Sequence, residues 1–324
     1  MAQPAVKGLL ISRPDFEISL LGPHWASPLY RGIGEYTYLP LNPESLHGLR
    51  AILNQVELMR RYKFDFGILL TPSFSSALAF YLARVKNRYG YSGEVRSAFL
   101  SHPVKVSADR KVHRSIKYLR LIEFFLDAKL PVSYPSLKFN SEEIHSAEDI
   151  LAKAGAANAS RFAVIAPQAV AESRRWGSAN YAALSGRIIS ELGYQIVLLG
   201  AGAEFKAGEV VASGEENIIN LCGKTDISAA GAILSRARLF IGNDSGLAHL
   251  AAAVNIPLVV LSGADDPAET SPLSDRKKVI IRSELDCISC VKNRCPLKGD
   301  KFMRCMREIS VDSVFQAVLE ALPK

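Results

Sequence analysis

The sequence predicts an α/β protein built from two doubly wound domains. Short apolar segments alternate with segments of helical period in both halves of the chain, and an irregular stretch with two prolines separates the halves. Such alternation is typical of parallel sheets covered by helices on both faces. The length of 324 residues also suits two domains of ordinary size.

The first half contains seven predicted elements. Apolar runs predict strands at 16–21, 36–41 and 64–70, and helical periodicity predicts helices at 3–11, 44–61, 73–85 and 111–126. The stretch LPVSYPSLKFNSEE has no clear period and therefore resembles a linker. We expect a domain over residues 1–130, a linker over 131–144 and a second domain over 145–324.

The second half repeats the alternation more regularly. Strands are predicted at 161–166, 195–199, 218–221, 239–241 and 257–261, and helices at 178–192, 204–212, 227–235, 247–254 and 310–322. In doubly wound sheets a ligand binds at the carboxyl ends of the strands. Two such domains facing each other would place the site in the cleft between them.

The charge of the chain favours an acidic partner. The net charge is +7, and residues 84–120 and 276–307 each hold ten Lys and Arg against two and three acidic residues respectively. A nucleotide, an anionic membrane surface or a nucleic acid would satisfy this charge, although such runs are usually solvated faces. The N-terminus lacks the regions of a signal peptide, and no apolar run is long enough to span a bilayer. We expect a cytoplasmic protein.

The segment RLFIGNDSGLAHLAAA at 238–253 is the most informative one for function. An apolar strand leads through Gly242 to Gly246 directly into a helix of small residues. The first N–H groups of a helix and its dipole favour an anion, and glycine permits close approach. Asp244 and His249 would then reach a ligand from the same end of the helix. The alternative is that Asp244 or Ser245 only caps the helix.

Polar residues follow three other predicted strands. Arg174 and Arg175 stand in a loop where guanidinium groups can hold a diphosphate, or they line a surface loop around a buried Trp176. Glu204 follows a glycine pair and can bind ribose hydroxyls, although GxGxxG is incomplete. After Leu221, the segment 223–226, which includes Lys224, either lines an adenine pocket or forms only a turn and a cap.

The second half of the chain resembles the lipopolysaccharide heptosyltransferases, which form glycosyltransferase family 9. The matching segments are, in chain order, APQ…SRRW, LLGAGAE, NLCGKTD, IGNDSGLAHLAAA and SGADDPAETSP. The first half matches the same family in the segments QPAVKGLL, ISLLGPHWASPL and HRSIKYLRLIE. The cysteine-rich stretch near the end, CISCVKNRCPL…RCM, is most similar to the heptosyltransferase II members of the family. The resemblance implies a GT-B fold of two Rossmann-like domains. It also implies inverting transfer of heptose from ADP-L-glycero-D-manno-heptose to the heptosyl–Kdo–lipid A inner core, without a cofactor and at the inner face of the inner membrane. A nucleic-acid partner is not expected.

The resemblance also implies roles for individual residues. Arg174 would take the place of the phosphate-binding lysine of the family, and Glu204 would bind the ribose. Arg175, Leu221 and Lys224 are the further donor-binding candidates. Asp244 would bind the transferred sugar, and the backbone of Ser245 and Gly246 would meet the diphosphate near His249. The basic run of the first domain would face the acidic acceptor, with Arg96, His113 and Arg114 as the acceptor-binding candidates.

One part of the family pattern is not found in this chain. The family opens with an apolar strand and a Gly-Asp loop whose Asp is the proposed general base, whereas here Met1 stands at the start of the first helix. The catalytic base is therefore not assigned. Because the first strand is central in such sheets, we expect unpaired edges within the first sheet. We also expect a truncated chain with little activity, and the alternative function is an inactive nucleotide-sugar-binding protein.

Four of the five cysteines, Cys287, Cys290, Cys295 and Cys305, follow the spacing C-x2-C-x4-C-x9-C. Four thiols at such spacing in a cytosolic chain indicate a structural zinc ion, with an iron–sulfur cluster as the second choice. The alternatives are a cluster of reduced thiols that packs a loop, or disulfides in an oxidising compartment.

Overall fold

A computed structural model of the chain describes residues 1–42, 48–93, 95–105, 111–156 and 161–322. The beginning of the predicted helix 44–61 lies outside these residues, as do Glu94 and Asp109, which interrupt the first basic run. The chain divides into two compact units, Met1–Ser133 and Tyr134–Lys324, called unit 1 and unit 2.

Unit 1 contains five strands and four helices in its described part. The strands are β1 (Ser19–Pro23), β2 (Thr37–Leu41), β3 (Phe66–Leu69), β4 (Asn87–Tyr91) and β5 (His102–Val104). The helices are α1 (Gln3–Ser12), α2 (Gly48–Tyr62), α3 (Phe74–Leu82) and α4 (Arg114–Leu126). All strand pairs are parallel, and they form two sheets, β1-β2 and β3-β4-β5.

The two sheets of unit 1 share one apolar cluster. Val6 and Leu9 of α1 and Leu119 of α4 form its buried centre, and Leu20 of β1 and Ile68 of β3 both pack against it. Nevertheless β1 and β3 do not pair with each other in the part of the chain that the structure describes. Among the described residues β1 pairs with β2 and β3 pairs with β4, so the two sheets are separate, and the expectation of unpaired edges around an absent central strand stays a prediction.

Unit 2 contains one parallel sheet of six strands in the order β11-β10-β9-β6-β7-β8. The strands are β6 (Phe162–Ala166), β7 (Gln195–Leu198), β8 (Ile218–Asn220), β9 (Leu239–Asn243), β10 (Leu258–Leu261) and β11 (Lys277–Ile280). Every residue of β6, β9 and β10 is buried, as expected for strands covered on both faces. The strand order reverses between β6 and β9, and ligands bind at such switch points.

Eight helices belong to the described part of unit 2. They are α5 (Ser141–Lys153), α6 (Ser178–Leu192), α7 (Phe205–Ala212), α8 (Ile227–Arg236), α9 (Gly246–Ala253), α10 (Pro267–Thr270), α11 (Arg304–Arg307) and α12 (Val311–Ala321). Buried side chains of α6 and α12 cover one face of the sheet, among them Leu184, Ile188 and Phe315. The core of unit 2 therefore fixes the strand ends from which the loops project.

Several elements differ from the sequence-based expectation. The strands β4, β5 and β11 were not predicted, because each is short and carries charged or half-exposed residues. Helix α5 begins within the predicted linker 131–144, at the capping box that Asn140 forms with Glu143. Phe139 lies against Gly231, and Tyr134 donates a hydrogen bond to Asp275, so residues 134–144 pack on unit 2. The irregular stretch that joins the two units is therefore shorter than predicted.

Candidate functional site

Asp244 is a buried carboxylate at the end of β9, beside the switch point of the sheet. Its side chain is 5% exposed, its N–H donates to the carbonyl of Leu261, and its Oδ2 accepts a hydrogen bond of 2.9 Å from Thr270 Oγ1. Burial raises the pKa of Asp244 to about 6; the Thr270 hydrogen bond opposes the rise and the nearby Asp265 adds to it. The ionised form of Asp244 is therefore less stable in this site than it would be in water.

The N-terminus of α9 follows directly after Asp244. Ser245 is the N-cap residue, but its side chain accepts no capping hydrogen bond, and Asp244 instead accepts from Thr270. A methyl group added at Gly246 would meet no atom within 4 Å, so the first turn is accessible. His249 lies one turn further, with Nε2 3.9 Å from Asp244 Oδ1. The capping alternative is not supported for either Asp244 or Ser245.

Arg174 and Arg175 lie in the loop after β6, but they point to different partners. Arg174 Nε lies 2.5 Å from Oδ2 of Asp265, a carboxylate whose side chain is 6% exposed, and its charge also lowers the pKa of Asp244. Arg175 instead donates to the carbonyls of Ala169 and Val170 in its own loop. The structure thus brings Arg174 to the site and gives Arg175 a role in shaping the loop.

Trp176 joins this loop to the rest of unit 2. It is buried, its backbone N–H donates to Asn243 Oδ1 over 3.3 Å, and its indole Nε1 donates to the carbonyl of Ile309 over 2.8 Å. Since Asn243 immediately precedes Asp244, the tryptophan couples the loop after β6 to the loop after β9. The buried Trp176 expected in the alternative interpretation is present, and it supports the site.

Three further residues lie at this site that the sequence analysis did not identify as site residues: Asp265, Thr270 and Lys277. Lys277 Nζ donates to Ser271 Oγ at 2.7 Å and to the carbonyl of Pro272 at 2.9 Å. Burial lowers the pKa of Lys277, and the charge of Asp244 opposes that shift. The Asp-Pro pair that starts α10 was an available sequence signal, because an N-cap residue followed by proline is typical of a helix start. No local pattern marks Lys277.

The loops after β7 and β8 follow the carboxyl ends of their strands, as the loops after β6 and β9 do, and they form a second part of the candidate site. Glu204 Oε2 accepts a hydrogen bond from the N–H of Ala201, and Gly223 donates to the carbonyl of Gly200 over 2.8 Å. Lys224 is exposed, with Nζ 5.4 Å from the ring centre of Phe205, whereas Leu221 is 1% exposed and lies in the core. The two loops therefore support each other.

The acceptor candidates of unit 1 differ strongly in exposure. Arg96 is 5% exposed and donates to the carbonyls of Tyr91 and Thr71, which ties the end of β4 to the segment after β3. Burial lowers the pKa of this guanidinium. His113 caps α4 and accepts from the N–H of Ser115, while Arg114 is exposed at the first position of the helix. The contacts of Arg96 are those of a structural residue.

The cysteine-rich segment contains four free thiols, of which Cys287 is exposed and the other three are half-buried. Within residues 1–42, 48–93, 95–105, 111–156 and 161–322, no three His, Cys, Asp or Glu side chains are already arranged to hold a metal ion. The zinc ion indicated by the spacing therefore stays a prediction.

The chain is similar to known proteins over nearly its whole length. It is 29% identical over 290 residues to lipooligosaccharide heptosyltransferase 2 of Haemophilus ducreyi, covering 83% of this chain and 80% of that protein. It is 29% identical over 350 residues to the Haemophilus influenzae protein of the same name, covering 100% of this chain and 96% of that protein. The structure of Escherichia coli ADP-heptose LPS heptosyltransferase II matches with a TM-score of 0.79 at 24% identity, covering 99% and 93% of the two chains.

These similarities confirm the predicted α/β fold of the GT-B class and give no support to the alternative of an inactive binding protein. No helix among the described residues is both long and apolar enough to cross a membrane. Residues 53–300 match the heptosyltransferase family, glycosyltransferase family 9. The chain therefore belongs to glycosyltransferase family 9 and is a glycosyltransferase.

Proposed function

We propose that the protein transfers heptose from ADP-L-glycero-D-manno-heptose to the heptosyl–Kdo–lipid A inner core of lipopolysaccharide, with inversion at the anomeric carbon and without a cofactor. The observation that carries this proposal is the meeting of Asp244 and Arg174 beside the N-terminus of α9, where the strand order reverses. This arrangement offers a cation and helix N–H groups to a diphosphate, and a carboxylate to a sugar. The relatives named above act on the same class of substrate by their names.

The reaction needs stabilisation of the leaving ADP more than acid–base chemistry on the donor side. Negative charge grows on the diphosphate as the bond to the anomeric carbon breaks, and fixed positive charge lowers the energy of that state. Arg174 and the N–H groups of Ser245 and Gly246 supply this charge in our proposal. Asp244 accepts hydrogen bonds from hydroxyls of the transferred heptose, and His249 lies beside it.

The nucleoside end of the donor would extend toward the loops after β7 and β8. Glu204 has a second carboxylate oxygen besides the one that accepts from Ala201, and this oxygen is suited to a ribose hydroxyl. The turn from Leu221 to Lys224 would border the adenine. The contact between Gly223 and Gly200 keeps these two loops together.

Unit 1 carries an exposed surface that suits a negatively charged membrane. We call it the basic–aromatic patch; it consists of Arg60, Phe74, Tyr81, Leu82, Arg84, Lys86 and Arg88. Tyr81 is 48% and Phe74 45% exposed, and both rings pack edge-on against Phe99. Apolar rings beside several cations favour the interface of an anionic bilayer. We propose that a cytoplasmic protein docks here on the inner face of the inner membrane, where its lipid acceptor lies.

A transfer assay tests the reaction. Purified full chain is incubated with ADP-L-glycero-D-manno-heptose and either Kdo2-lipid A or heptosyl-Kdo2-lipid A, and products are measured by mass spectrometry. The proposal expects one added heptose on the heptosyl acceptor, and loss of that product in the Asp244→Asn variant. Binding of ADP without transfer to either acceptor would contradict the proposal and support the binding-protein alternative.

ADP titration calorimetry tests the assignment of Arg174. Arg174→Ala is expected to weaken ADP binding roughly 10–100-fold, because a charge-assisted hydrogen bond contributes about 1.5–3 kcal/mol. Arg236→Ala is the matched control, since Arg236 ion-pairs with Glu148 on the helices α8 and α5. Equal affinity of both variants would show that Arg174 does not bind the diphosphate.

Vesicle flotation tests the basic–aromatic patch. Wild-type protein is expected to float with vesicles that contain phosphatidylglycerol and not with vesicles of phosphatidylcholine alone. Replacing Arg84 and Lys86 by glutamate is expected to abolish flotation, while Lys153→Glu and Lys206→Glu in unit 2 serve as a charge-matched control. Flotation that is unchanged in the patch variant would refute this docking surface.

A further inference from the structure

The ion pair between Arg174 and Asp265 involves the inner nitrogen of the guanidinium group. Nε of Arg174 lies 2.5 Å from Oδ2 of Asp265, whose side chain is 6% exposed, whereas the Arg174 side chain as a whole is 32% exposed. A guanidinium group has five N–H donors in one plane. An ion pair at Nε therefore leaves donors of the terminal nitrogens, Nη1 and Nη2, for a second, anionic partner.

Asp265 lies in a loop that is packed into unit 2. Every residue of the loop 262–265, which begins directly after β10, is buried. Ser262 Oγ donates to the carbonyl of Asp265 over 3.3 Å, and a methyl group added at Gly263 would lie 2.6 Å from Sδ of Met306. The carboxylate of Asp265 is therefore presented by a backbone that has little room to move.

A second segment holds the same loop from its other side. We call residues 289–293 the bracing segment. Within it, the N–H of Val291 donates to the carbonyl of Ala264 over 2.7 Å, and Ser289 Oγ donates to the carbonyl of Asp265 over 3.2 Å. The carbonyl of Asp265 thus accepts hydrogen bonds from two serines that are 27 positions apart in the chain.

The bracing segment also holds the loop that carries Arg174. Ser173, the residue before Arg174, is 2% exposed. Its N–H donates to the carbonyl of Asn293 over 3.2 Å, and its Oγ donates to the carbonyl of Lys292. One short segment therefore contacts both loops of the ion pair, next to Arg174 on one side and at Asp265 on the other.

The backbone conformation of the bracing segment shows that these contacts fix it. Ser289 and Val291 have φ of 55° and 57°, which is unfavourable for residues other than glycine and above all for a β-branched valine. The side chain of Val291 is 68% exposed, so its burial does not account for this conformation. The N–H groups of both residues donate to the loop after β10, to Gly263 over 3.0 Å and to Ala264 over 2.7 Å. Strained conformations of this kind persist where the surrounding structure determines them.

We propose that Asp265 is a positioning residue for the donor diphosphate, and that it acts through Arg174. Its carboxylate holds Nε, so that Nη1 and Nη2 are directed at the diphosphate, and the bracing segment keeps the two loops at the distance that the ion pair needs. An arginine that is already fixed loses less conformational freedom when a ligand binds. The inference rests on the proposed binding of the diphosphate at Arg174.

The opposite effect of the ion pair is competition, in which Asp265 withholds Arg174 from the ligand. The two effects differ in sign. Loss of a competing carboxylate strengthens ADP binding, whereas loss of a positioning carboxylate weakens it. The contact at Nε favours positioning, because a competing carboxylate would have to occupy the terminal nitrogens.

A double-mutant cycle with ADP titration calorimetry tests the proposal. Asp265→Ala is expected to weaken ADP binding about tenfold, within the range of coupling found for residues in contact. In the Arg174→Ala background the same change is expected to have no further effect, because Asp265 acts through Arg174. Asp312→Ala is the matched control, since Asp312 forms an ion pair of 2.6 Å with Arg187 elsewhere in unit 2. Tighter binding in Asp265→Ala, or an equal loss in both backgrounds, would overturn the positioning role.

The bracing segment has a test of its own, which also serves if Asp265→Ala fails to fold. Ser173→Ala and Ser289→Ala each remove one of its hydrogen bonds and are expected to weaken ADP binding several-fold, but not in the Arg174→Ala background. Ser235→Ala is the control, because it removes a similar hydrogen bond of 2.7 Å within α8. Wild-type ADP affinity in both folded variants would overturn the role of the bracing segment.

The single variants separate the two proposals. If Arg174→Ala binds ADP weakly while folded Asp265→Ala binds it like the wild type, the positioning role is wrong and the donor site stands. If Arg174→Ala itself binds ADP like the wild type, the proposed diphosphate contact is wrong, and the positioning role is overturned with it. Thermal unfolding of each variant shows that the protein compared is folded.

Discussion

Replacing Asp244 by asparagine should stabilise the folded protein while it removes transfer activity. Burial and the neighbouring Asp265 raise the pKa of Asp244 from its ordinary 3.8 to about 6, against the Thr270 hydrogen bond. A rise of this size makes ionisation of Asp244 about 3 kcal/mol less favourable in the folded than in the unfolded chain. Asparagine has nearly the same shape and can still accept the hydrogen bond from Thr270.

The sign of the pH dependence follows from proton linkage. Between pH 3.8 and 6 the folded protein binds more protons at Asp244 than the unfolded chain, so this residue lowers the stability of the wild type as pH rises. Above pH 6 the full cost is present, and well below pH 3.8 both states are protonated and it vanishes. The advantage of the Asp244→Asn variant should therefore be greatest at neutral pH.

Urea and thermal denaturation at several pH values between 4 and 8 measure this effect. At pH 7.5 the variant should unfold about 6–12 °C higher than the wild type if unit 2 unfolds as one cooperative domain. Asp149→Asn, at an exposed position of α5, is the matched control and should show no such difference. A variant that is less stable than the wild type at pH 7.5, or an advantage that does not grow from pH 4 to pH 7, would refute the reasoning.

Three further changes test other parts of the site. Thr270→Val removes the donor to buried Asp244 and should cost about 1–3 kcal/mol of stability at pH 7.5 by urea denaturation, whereas Thr270→Ser should restore most of it. Gly223→Ala would place a methyl group 2.6 Å from a backbone carbon of the loop after β7, so this variant should bind ADP more weakly in calorimetry. Gly214→Ala is the control, because Gly214 also has a positive φ but a methyl group there meets no neighbouring atom, and its ADP affinity should be unchanged. Trp176→Phe leaves a buried carbonyl without its indole donor and should lower stability by about 1–3 kcal/mol; unchanged thermal unfolding would contradict the importance of that bond.

The segment around Asp244 shows which structural features can be predicted from the local sequence alone. Its apolar strand, its glycines and its helix of small residues lie next to one another in the chain, so the strand–loop–helix unit was predicted correctly. The alternation in the second half likewise predicted the parallel sheet, because strands buried on both faces need apolar runs. Element β11 was missed because its two lysines and its four-residue length give no such run.

The amino-acid sequence by itself determined the α/β class, the family and the position of Asp244, since these depend on apolar periodicity and on contiguous motifs. Only the tertiary structure decided that Arg174 faces Asp265 while Arg175 turns back to its own loop, because adjacent residues of a loop have no fixed direction until the loop packs. It also brought Lys277 and Thr270 to Asp244, through strand and helix packing across about 30 residues of sequence. Burial, and with it the raised pKa of Asp244, exists only after those distant segments have met.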